Sequence, residues 1–310
     1  MNFELGQDEQ LLVEAVREAL SRTDTLAATR QALDGGETID LWKEAVRGGW
    51  TEIPDLLHAV LVLIECGRRL APTGLVGHLT AMAILKDGFK VGRARAAYVP
   101  KGYHDGVPDA AEAEVLVVEL DEGLLVTNCA SVRRVGRYDP SRPLGSVDLA
   151  DLDPSADGDW VDGDPELAWN VMQTLLAAET LGAAEAALEL AVGHAKQRKA
   201  FGRTIGSFQA IKHQLTDSLR LNENARSLLY FAAYVAQNEP ERFGLAANAA
   251  RFAAEHAADV GTRRNIAIHG GLGATWEHDA HLYFRRAQLS RLLLGGQTAA
   301  GERVVSHVLG

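Results

Sequence analysis

Two stretches of the chain carry residue types that could do chemistry. "HGGLG" (269–273) sets Gly270, Gly271 and Gly273 at the end of a helical pattern, and "QRKAFGRTIGSFQ" (197–209) sets Arg198, Lys199 and Arg203 around Gly202 and Gly206. Glycines beside a helix end let backbone N–H groups approach a phosphate. A guanidinium fork and an aromatic ring next to them suit a pyrophosphate that carries a planar base. Taken alone, each segment is more often a plain helix–helix turn than a site. A Rossmann dinucleotide fingerprint is excluded, because it needs a strand before its glycines and here a helix precedes them. Both segments fall in one helical region, and that makes the pair more specific than either alone.

The elements that must position them follow from hydrophobic periodicity. Leu11, Leu12, Val16 and Leu20 recur at helical spacing, so 7–33 reads as one amphipathic helix. Further helices are predicted over 39–50, ending at Gly48–Gly49, over 56–72, nearly all apolar and stopped by Pro72, and over 74–87. Between about 90 and 160 the texture changes to short β-type runs, 93–100, 113–120, 123–129 and 130–138, followed by a polar, acidic connection over 148–164. From Pro165 the pattern is helical again, with long helices over 165–200 (Gly182 tolerated inside it), 207–239 opened by Ser207 as N-cap, and 245–269, then a closing pair after the glycines.

Composition narrows the function classes. The 310 residues are 47% hydrophobic and 24% charged, enough for a sizeable core. A net charge of −11 argues against nucleic acid or an anionic membrane as partner. Cys66 and Cys129 lie far apart with no CxxC spacing, so neither a disulfide framework nor a metal site is expected, and a reducing compartment is. The opening "MNFELGQDEQ" carries acids where a signal peptide is basic, and no apolar run reaches the roughly 18 residues of a membrane span. A cytoplasmic protein is the expectation.

"QRKAFGRTIGSFQAIKHQLTD" (197–217) and "IHGGLGATWEHDAHLYFRRA" (268–287) resemble the two C-terminal signatures of the acyl-CoA dehydrogenase family, flavoenzymes that oxidise acyl-CoA thioesters. The resemblance is specific from about 165 to 310. It implies a mostly α fold: an N-terminal helical domain (1–90), a reduced small β domain with its linker (91–164) and a C-terminal four-helix bundle (165–310). By the same resemblance Arg198, Phe201 and Gln209 would hold the FAD of a neighbouring subunit, and Gly270, Gly271 and Gly273 would lie against its pyrophosphate.

The departures from the family pattern are equally informative. Ala267 stands where the family usually has Gln. The catalytic base, a Glu that takes the α-proton while flavin accepts hydride, is replaced by Leu294; at the alternative position used by some members stands Met172. Neither side chain can accept a proton. Glu179 and Glu302 align with non-catalytic positions, Glu179 being read as a helix-surface or structural acid. The segment 113–126 is too short and too acidic to replace the family's flavin-cradling strand and Ser/Thr-rich loop. His213 and His278 are read as surface or capping residues and Trp276 as core, while "TWEHD" resembles actinobacterial steroid-degrading members and points to a bulky CoA ester. The implied function is a subunit of a heteromeric acyl-CoA dehydrogenase, inactive alone, whose longer partner carries the Glu and most of the FAD site. Its other implied partners are an acyl-CoA substrate and an electron-transfer flavoprotein or similar acceptor. A self-sufficient homo-oligomeric flavoenzyme with a different base, and a non-enzymatic helical scaffold, are the alternatives.

Overall fold

The computed structural model describes residues 5–53, 55–85, 94–136 and 138–309. The last two residues of the helix predicted over 74–87, the first residue of the strand predicted from 93, and Arg137 lie outside the described residues.

The N-terminal unit is helical, with corrections. The single helix predicted over 7–33 is two, α1 (Gln7–Ser21) and α2 (Thr25–Leu33). The Asp24 carboxylate accepts the Ala27 N–H at 3.0 Å and starts a new helix, a local cap that the apolar spacing does not register. Next come α3 (Trp42–Arg47), shorter than predicted, α4 (Leu56–Arg69) and α5 (Leu75–Ile84). Helix α4 stops at Leu70, held left-handed at φ 49°, before Pro72 is reached.

Among the described residues seven strands follow: β1 (Ala96–Val99), β2 (Val107–Pro108), β3 (Val115–Leu120), β4 (Gly123–Thr127), β5 (Ser131–Arg134), β6 (Leu144–Asp148) and β7 (Gly158–Val161). They form a sheet of order β1-β3-β4-β7, parallel only between β1 and β3, and a second of order β2-β6-β5. Strand β7 lies inside the stretch read as a connection. Leu125 pairs with Trp160 and Val126 with Asp159, so ladder pairing along β4 makes a strand of an exposed acidic sequence. Such polar edges discourage pairing with other chains.

The C-terminal region holds α6 (Pro165–Gln197), a short hairpin of β8 (Lys199–Ala200) and β9 (Arg203–Thr204), α7 (Gln209–Asn238), α8 (Phe243–His269), α9 (Ala280–Ser290) and α10 (Gly296–Leu309). Three helices are long, with 33, 30 and 27 residues. The closing pair predicted after the glycines is α9 and α10, both packed on α8. Leu294, Gly295 and Gly296, with φ of 52°, 75° and 51°, turn the chain between them. Ser207 is not the N-cap of α7; its hydroxyl donates to the Thr204 carbonyl and Phe208 takes the cap position.

Helix α6 is the axis of the molecule. Pro165 opens it, and the Asp164 carboxylate accepts the N–H groups of Glu166 and Leu167. From Ala168 to Ala187 every residue is buried. Gly182 is required there. A Cβ on Gly182 would stand 2.0 Å from the Ile64 carbonyl oxygen, and one on Gly67 would stand 2.0 Å from the Glu179 carbonyl oxygen. Helices α4 and α6 therefore cross at a reciprocal glycine contact. Gly182→Ala gains up to about 1 kcal/mol of helix propensity but forces two backbones apart, so a net loss of about 1–3 kcal/mol is expected in urea unfolding.

Candidate functional site

The first chemical segment folds into a hairpin with a strained aromatic tip. Lys199 pairs with Thr204 and Ala200 with Arg203, leaving a two-residue turn of Phe201 and Gly202. Both turn residues have positive φ, 51° and 79°, the backbone of a type I′ turn, which usually calls for Asn-Gly. Phenylalanine in this conformation costs about 1–3 kcal/mol, and Phe201 is also 95% exposed. Beneath it, the Phe208 ring receives Phe201 edge-on at 6.3 Å and the Arg203 guanidinium at 4.1 Å. Arg198 ends α6 and Gln209 begins α7; both side chains are exposed on either side of the hairpin.

The fold brings the glycine segment to the same end of the bundle. Ile205 and Ile211 pack with Ile268, two residues before Gly270, in one small apolar cluster with Ala191 and Ala195. The glycines divide the work. Gly270 needs its φ of 62°, a Cβ on Gly273 would meet the Ile266 carbonyl oxygen at 2.7 Å, and Gly270 and Gly271 have nothing within 4 Å of where a Cβ would stand. Their backbone is thus open to close approach. Ala267 is exposed on α8, and His213 is exposed on α7. His278 caps as predicted, its Nδ1 accepting the Ala280 N–H at 3.1 Å. Trp276 is not core: it is 57% exposed, with Arg285 over its ring at 5.6 Å.

The two positions that resemble the family's base sites behave differently. Met172 and Leu294 are 0% and 4% exposed and belong to the same apolar core cluster. Glu302 is exposed on α10. Glu179 is no surface acid. It is buried in an ionic cluster with Arg142, on the segment between β5 and β6, and with Arg286 of α9 at 2.9 Å. Arg286 also binds Asp139 at 2.6 Å and the Ser141 hydroxyl at 2.8 Å, and Arg142 donates to the Ser290 hydroxyl at 2.9 Å. Burial pushes the Asp139 and Glu179 carboxyls up, but the two guanidiniums outweigh it and hold both below the usual carboxylate range. The cluster joins the β unit, α6 and α9, and a cavity beside it holds about 10 Å³.

Sequence reasoning missed this cluster and a stack of three imidazoles. His194 lies 4.2 Å from His269, which lies 4.1 Å from His278 (ring centroids). A signal existed, since His194 sits one helical turn before Arg198 and His269 directly precedes the glycines.

Residues 167–308 match the family description "Acyl-CoA dehydrogenase, C-terminal domain". The chain is 34% identical to acyl-CoA dehydrogenase IpdE2 of Mycobacterium tuberculosis over 262 residues, covering 82% of this chain and 78% of that protein. Among solved structures, a variant of the Tcur3481-Tcur3483 steroid ACAD superposes with a TM-score of 0.84 at 25% identity, covering 99% of each chain. The ChsE4-ChsE5 complex from Mycobacterium tuberculosis gives 0.83 at 20% identity, covering 100% of this chain and 99% of that one, a likeness of fold. The chain belongs to the acyl-CoA dehydrogenase family.

Proposed function

We propose that this chain is a subunit of a heteromeric, FAD-dependent acyl-CoA dehydrogenase and completes from outside a flavin site held mainly by a longer partner. The observation that carries this reading is Phe201, a bulky apolar residue kept 95% exposed at a strained turn between the exposed Arg198 and Gln209. A fold sustains such cost where something else covers the ring. The residues present fit one half of a flavin dinucleotide site: Arg198 as a charge-assisted donor, Phe201 and Gln209 beside it, and the open backbone of Gly270 and Gly271, with Gly273 holding the turn. They do not supply a catalytic base, since Leu294 and Met172 are sealed in the core. When bound, FAD supplies the acceptor for the substrate's β-hydride. The carboxylate that takes the α-proton belongs, in this reading, to the partner. Similarity to a steroid ACAD supports a bulky, steroid-type CoA ester as substrate; electrons then leave to an electron-transfer flavoprotein or a similar acceptor.

The test is Arg198→Ala in the co-expressed complex. Loss of one charge-assisted bond is expected to weaken flavin retention by about 1.5–3 kcal/mol, read as free flavin released on dialysis. Full flavin occupancy in that variant would remove Arg198 from the site.

A further inference from the structure

The three stacked imidazoles line a cleft of about 620 Å³ between α1, the end of α4 and the C-terminal half of α6. Arg198, Phe201, Gln209 and the glycines of 270–273 do not line it, while their chain neighbours Gln197 and His269 do, so it adjoins the flavin contacts proposed above without containing them. Its volume falls in the range of small-molecule sites. We propose that this cleft is a second, acid-strengthened anion site, which takes the diphosphate of a nucleotide-bearing molecule with the imidazoles as donors and as a platform for the base.

Hydrogen bonding fixes two of the ring tautomers. Nδ1 of His269 donates to the Asn265 carbonyl at 2.8 Å, which leaves its Nε2 with a lone pair. Nδ1 of His278 accepts the Ala280 N–H, so its Nε2 carries the proton and is a standing donor. The His194 ring makes no hydrogen bond among the described residues. Protonation gives His194 a second N–H donor.

Charge on the walls leaves room for an anion. Arg17 is spent on Glu65 at 2.8 Å, and Arg68 on Glu185 at 2.9 Å and Glu189 at 2.6 Å. Arg30 of α2 and Asp279, which face His278, are paired with each other. Arg69 makes no ion pair among the described residues, and it lines the cleft as an uncommitted cation. Burial, and next the neighbouring His269, hold His194 and His278 below the ordinary imidazole range, so both are neutral at pH 7. A bound phosphoryl group favours the charged imidazole. Binding therefore takes up protons, and affinity rises as pH falls.

The experiment is calorimetric titration of the full chain, alone and in the co-purified complex, with inorganic pyrophosphate at about pH 6 and about pH 8. Binding at least about tenfold tighter at the lower pH is expected. His194→Gln should flatten that dependence to about twofold or less, and Arg69→Ala should weaken binding at both pH values. Displacement of pyrophosphate by free CoA or by free FAD identifies which nucleotide the site takes. No binding at millimolar pyrophosphate, binding independent of pH, or displacement by neither nucleotide would overturn the proposal. Gln209→Ala, which removes a proposed flavin contact without altering charge beside His194, should leave the pyrophosphate response intact, so failure of the flavin reading and failure of this one are told apart.

Discussion

Glu179→Ala is expected to destabilise the fold by about 3–5 kcal/mol, a large share of a typical domain's stability. The reason is what the substitution leaves behind. Arg142 and Arg286 are both buried, both depend on Glu179, and Arg286 has only Asp139 as a remaining carboxylate. Glu179→Gln keeps an acceptor but not the charge, and should fall between wild type and alanine. The same cluster sets an acid limit. Asp139 and Glu179 have folded-state pKa values below their unfolded ones, so their contribution is present above the usual carboxylate range and is lost as pH falls through the depressed folded values. Equilibrium urea unfolding near pH 7 and near pH 3 checks both statements. An alanine variant as stable as wild type near pH 7 would show that the cluster is replaceable. Activity per folded complex should stay within a few-fold in Glu179→Gln and in Glu302→Gln, because neither carboxylate takes the substrate proton.

The second large effect concerns catalysis. An α-proton of a thioester needs a positioned base, and general-base help is worth about 10²–10⁴-fold. Removing the longer subunit's Glu should therefore abolish measurable turnover of the complex. Leu294→Glu in this chain should restore none on its own, since residue 294 is 4% exposed, held at φ 52° and surrounded by core. A carboxylate placed there is kept neutral by burial, and a neutral carboxylic acid cannot take the α-proton. Steady-state dye reduction by the complex, with each substitution made separately, gives the answer. Turnover gained by Leu294→Glu alone would show that the core opens around a cofactor.

The long helices were legible because their apolar residues repeat at the helical period, and α6 was legible even though it is buried all round over 168–187, because Pro165 marks its start. The glycines and Arg198, Phe201 and Gln209 could be singled out as chemistry-bearing because their types are unusual at helix ends. The strained tip at Phe201 was not legible, since backbone sign is set by the two-residue hairpin and not by the residue. Strand β7 was hidden because its pairing with β4 is a tertiary fact. The ionic cluster was hidden for the same reason: Asp139, Arg142, Glu179 and Arg286 are spread over three elements, and charged residues read singly look like surface. Trp276 failed in the opposite direction, an aromatic assigned to the core that stands exposed beside Arg285.

The most direct measurement is acyl-CoA-dependent dye reduction by the purified 310-residue chain, alone and then after co-purification with a longer family member that carries the Glu. The subunit account predicts no reduction by the chain alone with any acyl-CoA tried, and turnover with bound flavin in the complex. Robust reduction by the pure chain would contradict it, and would establish a self-sufficient homo-oligomeric flavoenzyme with a different base.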